Sequence, residues 1–312
     1  MTQPNAGPVR IAVIGCGAIG SLYAAHLGRV PGVQVWAVDP WAEHTEAMNA
    51  HGLRVTGLAD FVATVHARTD GSSLPTCDFG LVATKAPDTL AAVEGARAAL
   101  ANAAVVSVQN GLGNEEVIAG LVPRVIRGSI VTAGAIAAPG VVRYDAPGDS
   151  WFGPFEPRPA PMGEVERLAR LLTDGGLRTH ALEDARGPQW TKVIFNAATS
   201  PLAALTGLSV GRVCTDAGLS QLVDRLIAEA EAVCEQAGIA LTRSPREAVA
   251  EAIAEAYDHK PSMLQDVLAR RPTEIDVLNG GVSAEGRRVG VPTPGHDAMV
   301  ALVHGLERSW PA

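Results

Sequence analysis

The chain of 312 residues has no excess of basic residues, no paired cysteines and no long apolar runs. Its formal net charge of −8 disfavours nucleic acid and anionic membranes as partners, because both bind basic patches. No stretch reaches the roughly 18 to 20 apolar residues of a membrane span, and the first ten residues lack the charged-then-apolar pattern of a secretory signal. The four cysteines form no CxxC pair, which is typical of reduced thiols in the cytoplasm. We therefore expect a cytoplasmic globular protein without a nucleic-acid or membrane partner.

The histidines give no sign of a metal site. None of the eight stands in an HxxxH pair, the spacing that places two imidazoles on one face of a helix. We therefore predict no bound metal. What the chain does have is length for two domains and 47% hydrophobic residues, enough for a large core without disulfides.

The first half of the chain alternates strand and helix patterns. Such alternation predicts an α/β fold with a Rossmann-type, doubly wound parallel sheet. The predicted strands are 33–38, 61–67, 79–83, 103–108 and 125–131, after a first strand at 9–14; the predicted helices between them are 41–50, 89–101 and 114–121. The segment 132–160 is rich in Gly and Pro and is expected to form short antiparallel strands and turns.

Strand patterns end near residue 187, and an all-helical domain is expected beyond it. The predicted helices are 188–199, 218–236, 245–255, 263–270, 274–288 and 296–307, separated by Gly and Pro. We therefore predict a dinucleotide-binding domain over residues 1–184 and a helical substrate or dimerisation domain over residues 185–312. Helical domains with apolar faces often pair with another subunit, so a homodimer is among the expected partners.

The most informative motif is GCGAIG, which follows an apolar strand and opens a helix. In this context Gly15 allows the tight turn, Gly17 allows the backbone to approach a pyrophosphate, and Gly20 allows the helix to pack on the strand. The loop also contains Cys16, Ala18 and Ile19. Free N–H groups at the start of the helix favour phosphate oxygens, so all six residues are predicted to bind a dinucleotide.

Asp39 ends the second predicted strand, 19 residues after Gly20. A carboxylate there accepts hydrogen bonds from the adenosine ribose hydroxyls and repels a 2′-phosphate, which favours NADH. The alternative is a helix N-cap followed by Pro40 at the first helical position. The two roles are compatible.

Two further polar residues follow parallel strands. Lys85 comes after the fourth predicted strand and Asn110 after the fifth. Ligands of α/β sheets bind at the carboxyl ends of the strands, so we predict that both residues contact cofactor or substrate. A turn at Asn110-Gly111 and a solvated loop lysine are the alternatives.

The segment WTKVIFNAATSPL places polar groups on one helical face. Lys192 and Asn196 are four residues apart, and Ser200 falls near the same face one turn later. An ammonium and an amide on one face suit a pocket in which a carbonyl oxygen is oriented and protonated. The alternative is a surface lysine beside an internal asparagine.

Two residues of the segment KPSMLQDVLARRPTEID complete the candidate site. Ser262 is expected to precede a helix and to help hold a carboxylate; the alternative is a plain N-cap. Glu274 is interpreted as the partner of Lys192 or as a hydrogen-bond acceptor from the substrate alcohol. Alternatively, Thr273 and Asp276 form a capping box and Glu274 is a first-turn residue of the helix.

Together these segments resemble the ketopantoate reductase (2-dehydropantoate 2-reductase) family, two-domain reductases of the 6-phosphogluconate-dehydrogenase-like group. The resemblance covers nearly the whole chain and depends most on WTKxxxNxxxxPL and SMLQDxxxxRxTEID. It implies reduction of 2-dehydropantoate to pantoate, usually with NADPH, and Lys192 as the general acid. It also implies that Asn196 and Ser262 bind substrate, that Glu274 belongs to the active site, and that the glycines, Lys85 and Asn110 hold the nucleotide.

The chain departs from the family pattern at two positions. Family members typically have a second asparagine where this chain has Ser200, and often a basic residue where it has Asp39-Pro40. We predict a 2-oxo acid reductase dependent on NAD(P)H, with Lys192 and Glu274 as catalytic residues and Asn110, Asn196, Ser200 and Ser262 binding substrate. A related oxidoreductase with another carbonyl or alcohol substrate, and a nucleotide-binding regulator without turnover, are the alternatives.

Overall fold

The computed structural model describes residues 7–310. They form two compact units. The first comprises residues 7–109 and Asn114–Ala185, and the second comprises Asn110–Gly113 and residues 186–310. A short segment after the fifth strand of the parallel sheet thus groups with the helices of the second unit.

The first unit is built on an eight-stranded sheet in the order β12-β11-β8-β7-β6-β1-β2-β5. Neighbouring strands are parallel except β11, which runs antiparallel to β8. Its strands are β1 (Val9–Ile14), β2 (Val33–Val38), β5 (His66–Arg68), β6 (Phe79–Val82), β7 (Ala104–Ser107), β8 (Arg124–Ile130), β11 (Ser150–Pro154) and β12 (Thr179–Ala181). The central strands β6 and β7 are fully buried, as expected for parallel strands covered on both faces.

Six helices accompany this sheet. They are α1 (Ala18–Leu27), α2 (Ala42–His51), α3 (Thr89–Gly95), α4 (Arg97–Leu100), α5 (Asn114–Ala119) and α6 (Met162–Asp174), with a 3₁₀ turn at Ala86–Asp88. The single helix predicted over 89–101 is wrong, because the helix is interrupted at Ala96. Gly71 packs closely against this residue. Helix α6 was not predicted.

A second, four-stranded sheet in the order β4-β3-β10-β9 belongs to the same unit. Its strands are β3 (Leu53–Gly57), β4 (Phe61–Ala63), β9 (Ala133–Ala138) and β10 (Val141–Ala146). The strand predicted over 61–67 is therefore wrong: its first half pairs with β3 in the small sheet and its second half with β2 at the edge of the large one. The antiparallel pairing expected within 132–160 is present between β9 and β10.

The second unit is helical throughout its described residues. Its helices are α7 (Arg186–Thr206), α8 (Val210–Thr215), α9 (Leu219–Gln236), α10 (Pro245–Glu255), α11 (Ser262–Leu268), α12 (Asn279–Val289) and α13 (Pro294–Arg308). Helix α7 contributes Trp190, Val193 and Ile194 to a core shared with α9, α11, α12 and α13. The predicted fold class, a Rossmann-type domain followed by an all-helical one, is confirmed.

Helix α8 was not predicted, and two helix boundaries in this unit differ from the prediction by more than two residues. Helix α7 continues through Pro201 instead of ending before it, and α12 begins at Asn279 instead of at Glu274. Within residues 7–310, no helix combines the length and the apolar character needed to cross a membrane. The same residues contain no group of three or more His, Cys, Asp or Glu arranged to hold a metal ion.

Candidate active site

The turn after β1 requires glycine at its first position. Gly15 has φ +87°, in the left-handed region that side chains rarely adopt. A Cβ atom there would lie 2.7 Å from both the backbone nitrogen and Cγ2 of Thr84. The turn after β1 therefore packs directly on the loop that follows β6.

The other two glycines of the motif differ sharply in the space around them. A Cβ on Gly20 would lie 1.9 Å from the carbonyl oxygen of Gly15, so α1 crosses the turn at a distance that only glycine permits. Gly17, the N-cap of α1, is exposed, and a Cβ there would meet nothing within 4 Å. The backbone at the start of α1 is therefore open for an approaching anion. This arrangement fits the pyrophosphate of a dinucleotide.

The remaining residues of the motif line the same turn. Cys16 is buried, and burial raises the pKa of its thiol, so the side chain is an inert part of the core. Ala18 and Ile19 form the first turn of α1 and are half-buried.

Gln109 ties together the loops that follow β6 and β7. Its Nε2 donates hydrogen bonds to the carbonyl oxygen of Thr84 at 2.9 Å and to Oγ1 of Thr89 at 2.7 Å. Lys85, the next residue after Thr84, is exposed and precedes the 3₁₀ turn. Gln109 was not among the predicted site residues, although it belongs to the QNG segment that contains Asn110.

Asp39 follows β2 and is half-buried, but it does not cap α2. Its Oδ1 accepts a hydrogen bond from the backbone N–H of Trp41 at 3.0 Å, and Trp41 is the N-cap of α2. The alternative interpretation of Asp39 as the N-cap of the helix is therefore wrong. The carboxylate instead accepts the backbone N–H two residues later and closes a turn there. The helix therefore begins two positions later than an N-cap at Asp39 would place it.

The second unit brings three of the predicted residues into one hydrogen-bonded chain. Lys192 Nζ donates to Asn110 Oδ1 at 2.8 Å, and Asn110 Nδ2 donates to Glu274 Oε2 at 3.2 Å. Asn110 therefore bridges an ammonium and a carboxylate that stand 82 positions apart in the chain. The sequence predicted Glu274 as a partner of Lys192, whereas the bridge through the Asn110 amide is visible only in the structure.

A backbone hydrogen bond holds the segment that carries Asn110 against the residues that follow Glu274. Leu112 N–H donates to the carbonyl oxygen of Val277 at 2.8 Å. Gly111 has φ +84°, and a Cβ there would lie 2.4 Å from that same oxygen. Gln189 Nε2 donates to the Gly111 carbonyl oxygen at 3.3 Å. Gln189 was not predicted, since a single glutamine on a helix gives no pattern to recognise.

The surroundings of Lys192 change its acidity. The side chain is half-buried, and burial lowers its pKa to about 8 because the charged form loses hydration. The negative charge of Glu274, which is only 7% exposed, acts in the opposite direction and favours the ammonium. Lys192 thus titrates close to neutral pH while staying protonated at pH 7.

Asn196 and Ser200 extend the polar face of α7. Asn196 lies one turn after Lys192 and is half-buried, and Ser200 lies another turn on and is 3% exposed. Within residues 7–310, the Asn196 amide makes no hydrogen bond that would occupy it.

The structure corrects the local settings of Ser262 and Glu274. Ser262 is exposed and is the first residue of α11, whose N-cap is Pro261. It therefore does not precede the helix as expected, and the alternative of a plain serine N-cap is wrong. Glu274 lies in a turn ahead of α12, and Thr273 Oγ1 accepts the N–H of Ile275 at 3.4 Å. The alternative of a capping box at Thr273 and Asp276 is therefore wrong, because that turn delays the helix to Asn279. No hydrogen bond within the described chain links Ser262 to Lys192, Asn110 or Glu274.

Comparison with known proteins identifies the family of the chain. The family model described as "Ketopantoate reductase PanE/ApbA" matches residues 11–157, and "Ketopantoate reductase PanE/ApbA C terminal" matches residues 184–307. A 2-dehydropantoate 2-reductase from Pyrococcus horikoshii is 30% identical over 304 residues, covering 96% of this chain and 98% of its own. The chain belongs to the ketopantoate reductase family. It is therefore a nicotinamide-dependent oxidoreductase of the class that acts on CH–OH groups.

Solved structures show both the likeness and the breadth of the ketopantoate reductase fold. A PanE/ApbA family ketopantoate reductase from Ralstonia eutropha JMP134 is 29% identical with a TM-score of 0.85, covering 96% of this chain and 99% of that one. A D-mandelate dehydrogenase, solved with NADH and anilino(oxo)acetate, is 25% identical with the same TM-score and the same coverage. Proteins named for different substrates therefore share this fold.

Proposed function

We propose that this protein reduces a 2-oxo acid to the 2-hydroxy acid, with 2-dehydropantoate as the leading substrate and pantoate as its product. The observation that carries the proposal is the hydrogen-bonded chain from Lys192 through Asn110 to Glu274. It combines a proton donor, an amide that orients it and a carboxylate that stabilises its charge. This is the set of groups that protonation of a developing alkoxide requires.

Lys192 acts as the general acid. A pKa of about 8 keeps the ammonium protonated at pH 7 while making it a stronger acid than an ordinary lysine. Asn110 accepts one N–H of the ammonium and so limits the directions in which the other two can point. Those remaining protons are directed to the substrate oxygen.

Glu274 keeps the acid charged and the amide oriented. Its carboxylate raises the pKa of Lys192 against the effect of burial and accepts from Asn110. Because the amide donates to Glu274, its oxygen faces Lys192. Glu274 thus acts on the proton donor both electrostatically and through Asn110.

The glycine-rich turn and its neighbours hold the cofactor. Gly17 and the first turn of α1 receive the pyrophosphate, and Lys85 contributes a positive charge to the nucleotide. Asp39 accepts hydrogen bonds from the ribose hydroxyls and repels a 2′-phosphate, which favours NADH over the NADPH that is usual in the family. When bound, the reduced nicotinamide supplies a hydride to the carbonyl carbon.

The substrate is held by the polar face of α7 and by α11. Asn196 offers an amide to the substrate oxygens, and Ser200 lies one turn beyond it. Ser262 and the backbone N–H groups at the start of α11 hold the carboxylate. Family members carry an asparagine at the position of Ser200. Because serine is shorter, its hydroxyl extends less far toward the substrate than that amide.

That substitution favours a second candidate substrate within the same chemistry. A serine leaves room for a bulkier group beside the carbonyl, and the D-mandelate dehydrogenase structure is as similar in fold as the ketopantoate reductase structure. An aromatic 2-oxo acid, or the corresponding hydroxy acid in the oxidative direction, is therefore the alternative substrate class.

The test is a substrate panel followed by the loss of reduced-nicotinamide absorbance. The protein is mixed with 2-dehydropantoate, phenylglyoxylate or an aliphatic 2-oxo acid, each with NADH and with NADPH. Turnover highest with 2-dehydropantoate supports the leading proposal, and turnover highest with phenylglyoxylate supports the alternative. If cofactor binds and no 2-oxo acid is reduced, the proposed reaction is wrong and a nucleotide-binding regulator becomes the better account.

A further inference from the structure

Helix α7, which carries Lys192 and Asn196, contains a proline at a position where helices are normally weakened. Pro201 lies inside the 21-residue helix and has no N–H to donate to the carbonyl oxygen of Ala197 four residues earlier. Ala197 is completely buried, so water does not supply the missing donor. The helix nonetheless continues to Thr206.

Asn279 supplies the hydrogen bond that Pro201 removes. Its Nδ2 donates to the Ala197 carbonyl oxygen at 2.9 Å, and the residue is 0% exposed. The donor comes from the first residue of α12. One side chain from another helix thus completes the backbone of α7 directly beside Asn196.

His296 fixes the orientation of this amide. His296 Nε2 donates to the carbonyl oxygen of Leu226 at 2.9 Å, because a carbonyl can only accept. Burial lowers the pKa of His296, so the ring is neutral and its Nδ1 accepts from Asn279 Nδ2 at 3.1 Å. Both N–H groups of Asn279 are therefore used.

Asn279 is also continuous with the turn that carries Glu274. Leu278 N–H donates to the Glu274 carbonyl oxygen at 3.1 Å, and Gly280 N–H donates to the Ile275 carbonyl oxygen at 3.0 Å. The turn and the first residues of α12 therefore form one hydrogen-bonded piece. Asn279 joins that piece to α7.

If Asn279 served only to fill the core, burying its amide would be unfavourable. Asn279 Oδ1 is buried without a partner in the described part of the chain, which an apolar residue of similar size would avoid. The amide is useful for its two donors. We propose that Asn279 is a positioning residue, which holds the Glu274 turn against α7 and thereby sets the placement of Lys192 and Asn196 relative to Glu274. This inference rests on the proposed function of that site.

The first test is a double-mutant cycle between Asn279 and Pro201. Asn279→Leu keeps the side-chain size but removes the donors, and we expect kcat/KM for the best 2-oxo acid of the panel to fall by about 10- to 100-fold, the effect of small misplacement. Pro201→Ala adds an N–H that can donate to Ala197. In that background the Ala197 carbonyl keeps a donor, so Asn279→Leu is expected to cost less unfolding free energy. The value of kcat/KM is still expected to fall, because the link between the Glu274 turn and α7 remains absent, while the affinity for NADH stays that of the parent.

The second test uses a readout other than activity. The chain has only three lysines, Lys85, Lys192 and Lys260, so lysine labelled with ¹³C at Cε resolves the titration of Lys192 by NMR. If Asn279→Leu moves the Glu274 turn away from α7, the pKa of Lys192 falls below that of the parent, because Glu274 raises it. Pro201→Ala in the same chain is not expected to restore the pKa, because it supplies a donor to the Ala197 carbonyl without linking the Glu274 turn to α7.

A matched control lies on the same helix. Ser283 is buried on α12, and its Oγ accepts from Thr293 Oγ1 at 3.2 Å. Ser283→Ala is expected to lower thermal stability slightly while leaving kcat/KM and the Lys192 titration unchanged. An equal effect of Ser283→Ala on the titration would mean that any disturbance of α12 produces the signal, and would overturn the assignment to Asn279.

Three outcomes contradict the proposal. They are parent-like kcat/KM and Lys192 pKa in Asn279→Leu, full recovery of both in the chain that also carries Pro201→Ala, and failure of both Asn279→Leu chains to fold while Pro201→Ala folds. If the parent reduces no 2-oxo acid, the proposed function fails, and the Lys192 titration still decides whether Asn279 positions the Glu274 turn.

Discussion

Lys192 combines two opposing influences that set its chemistry. Burial lowers its pKa and the Glu274 carboxylate raises it, with a balance at about 8. The spacing of Lys192 and Asn196 could be recognised in the sequence because a helix repeats its face every four residues. The hydrogen bonds through Asn110 could not be recognised, because they depend on the position of the backbone segment that follows β7.

The titration of Lys192 can be measured directly. We expect lysine ¹³C NMR to show a pKa of about 8 for Lys192, with its resonance assigned by Lys85→Arg and Lys260→Arg chains. Glu274→Gln removes the charge that favours the ammonium, so the pKa should fall further. Reduction should slow as the pH rises through this value, since only the protonated form donates. An ordinary pKa near 10.5 would contradict this description.

Asp39 is expected to set the choice between the two nicotinamide cofactors. Asp39→Asn removes the charge but keeps an oxygen that can accept the Trp41 N–H, so the local turn is retained. We expect the ratio of kcat/KM for NADPH to that for NADH to rise by about tenfold, which corresponds to ~1.4 kcal/mol of relieved repulsion. Asp60→Asn, an exposed aspartate paired with Arg54, is the control. An unchanged ratio would assign cofactor choice to other residues.

At the scale of elements, the glycine motif was the most predictable part of the chain. Each glycine was assigned a role from its position, and the contacts at Gly15 and Gly20 match the tight turn and the close helix. Less predictable were elements decided by tertiary contacts. The segment 61–67 divides between two sheets, and the start of α12 is delayed by the turn at Glu274, although its local pattern favours a helix.

Two substitutions, one at the N-cap of α1 and one in its first turn, are expected to separate cofactor binding from folding. Gly17→Ala enters open space at a φ of −63° that alanine adopts freely, so stability should stay at the parent value while NADH binds more weakly. Gly20→Ala places a Cβ against the Gly15 carbonyl and should cost about 1–3 kcal/mol of unfolding free energy. Urea unfolding and fluorescence titration with NADH measure the two effects. Parent-like NADH affinity in Gly17→Ala would argue against a pyrophosphate at this position.

At the scale of the whole molecule, the sequence predicted the fold class but described the domains as two consecutive stretches. Alternating patterns identified the parallel sheet, and their loss identified the helical region. The structure groups Asn110–Gly113 with the helices, an arrangement that a single boundary does not express. The domain assignment of 1–184 and 185–312 stays a prediction. Long-range backbone contacts such as Leu112 to Val277 cannot be read from local periodicity.

The central claim is that Lys192 protonates the product oxygen, and the most direct measurement compares kcat in the parent and in Lys192→Ala. Lys260→Ala, an exposed lysine of the same unit, is the control, and NADH affinity is measured for all three. We expect kcat for 2-oxo acid reduction to fall by about 10²–10⁴-fold in Lys192→Ala alone, the range for loss of a general acid, with NADH affinity unchanged. A kcat near the parent value in Lys192→Ala would contradict the account.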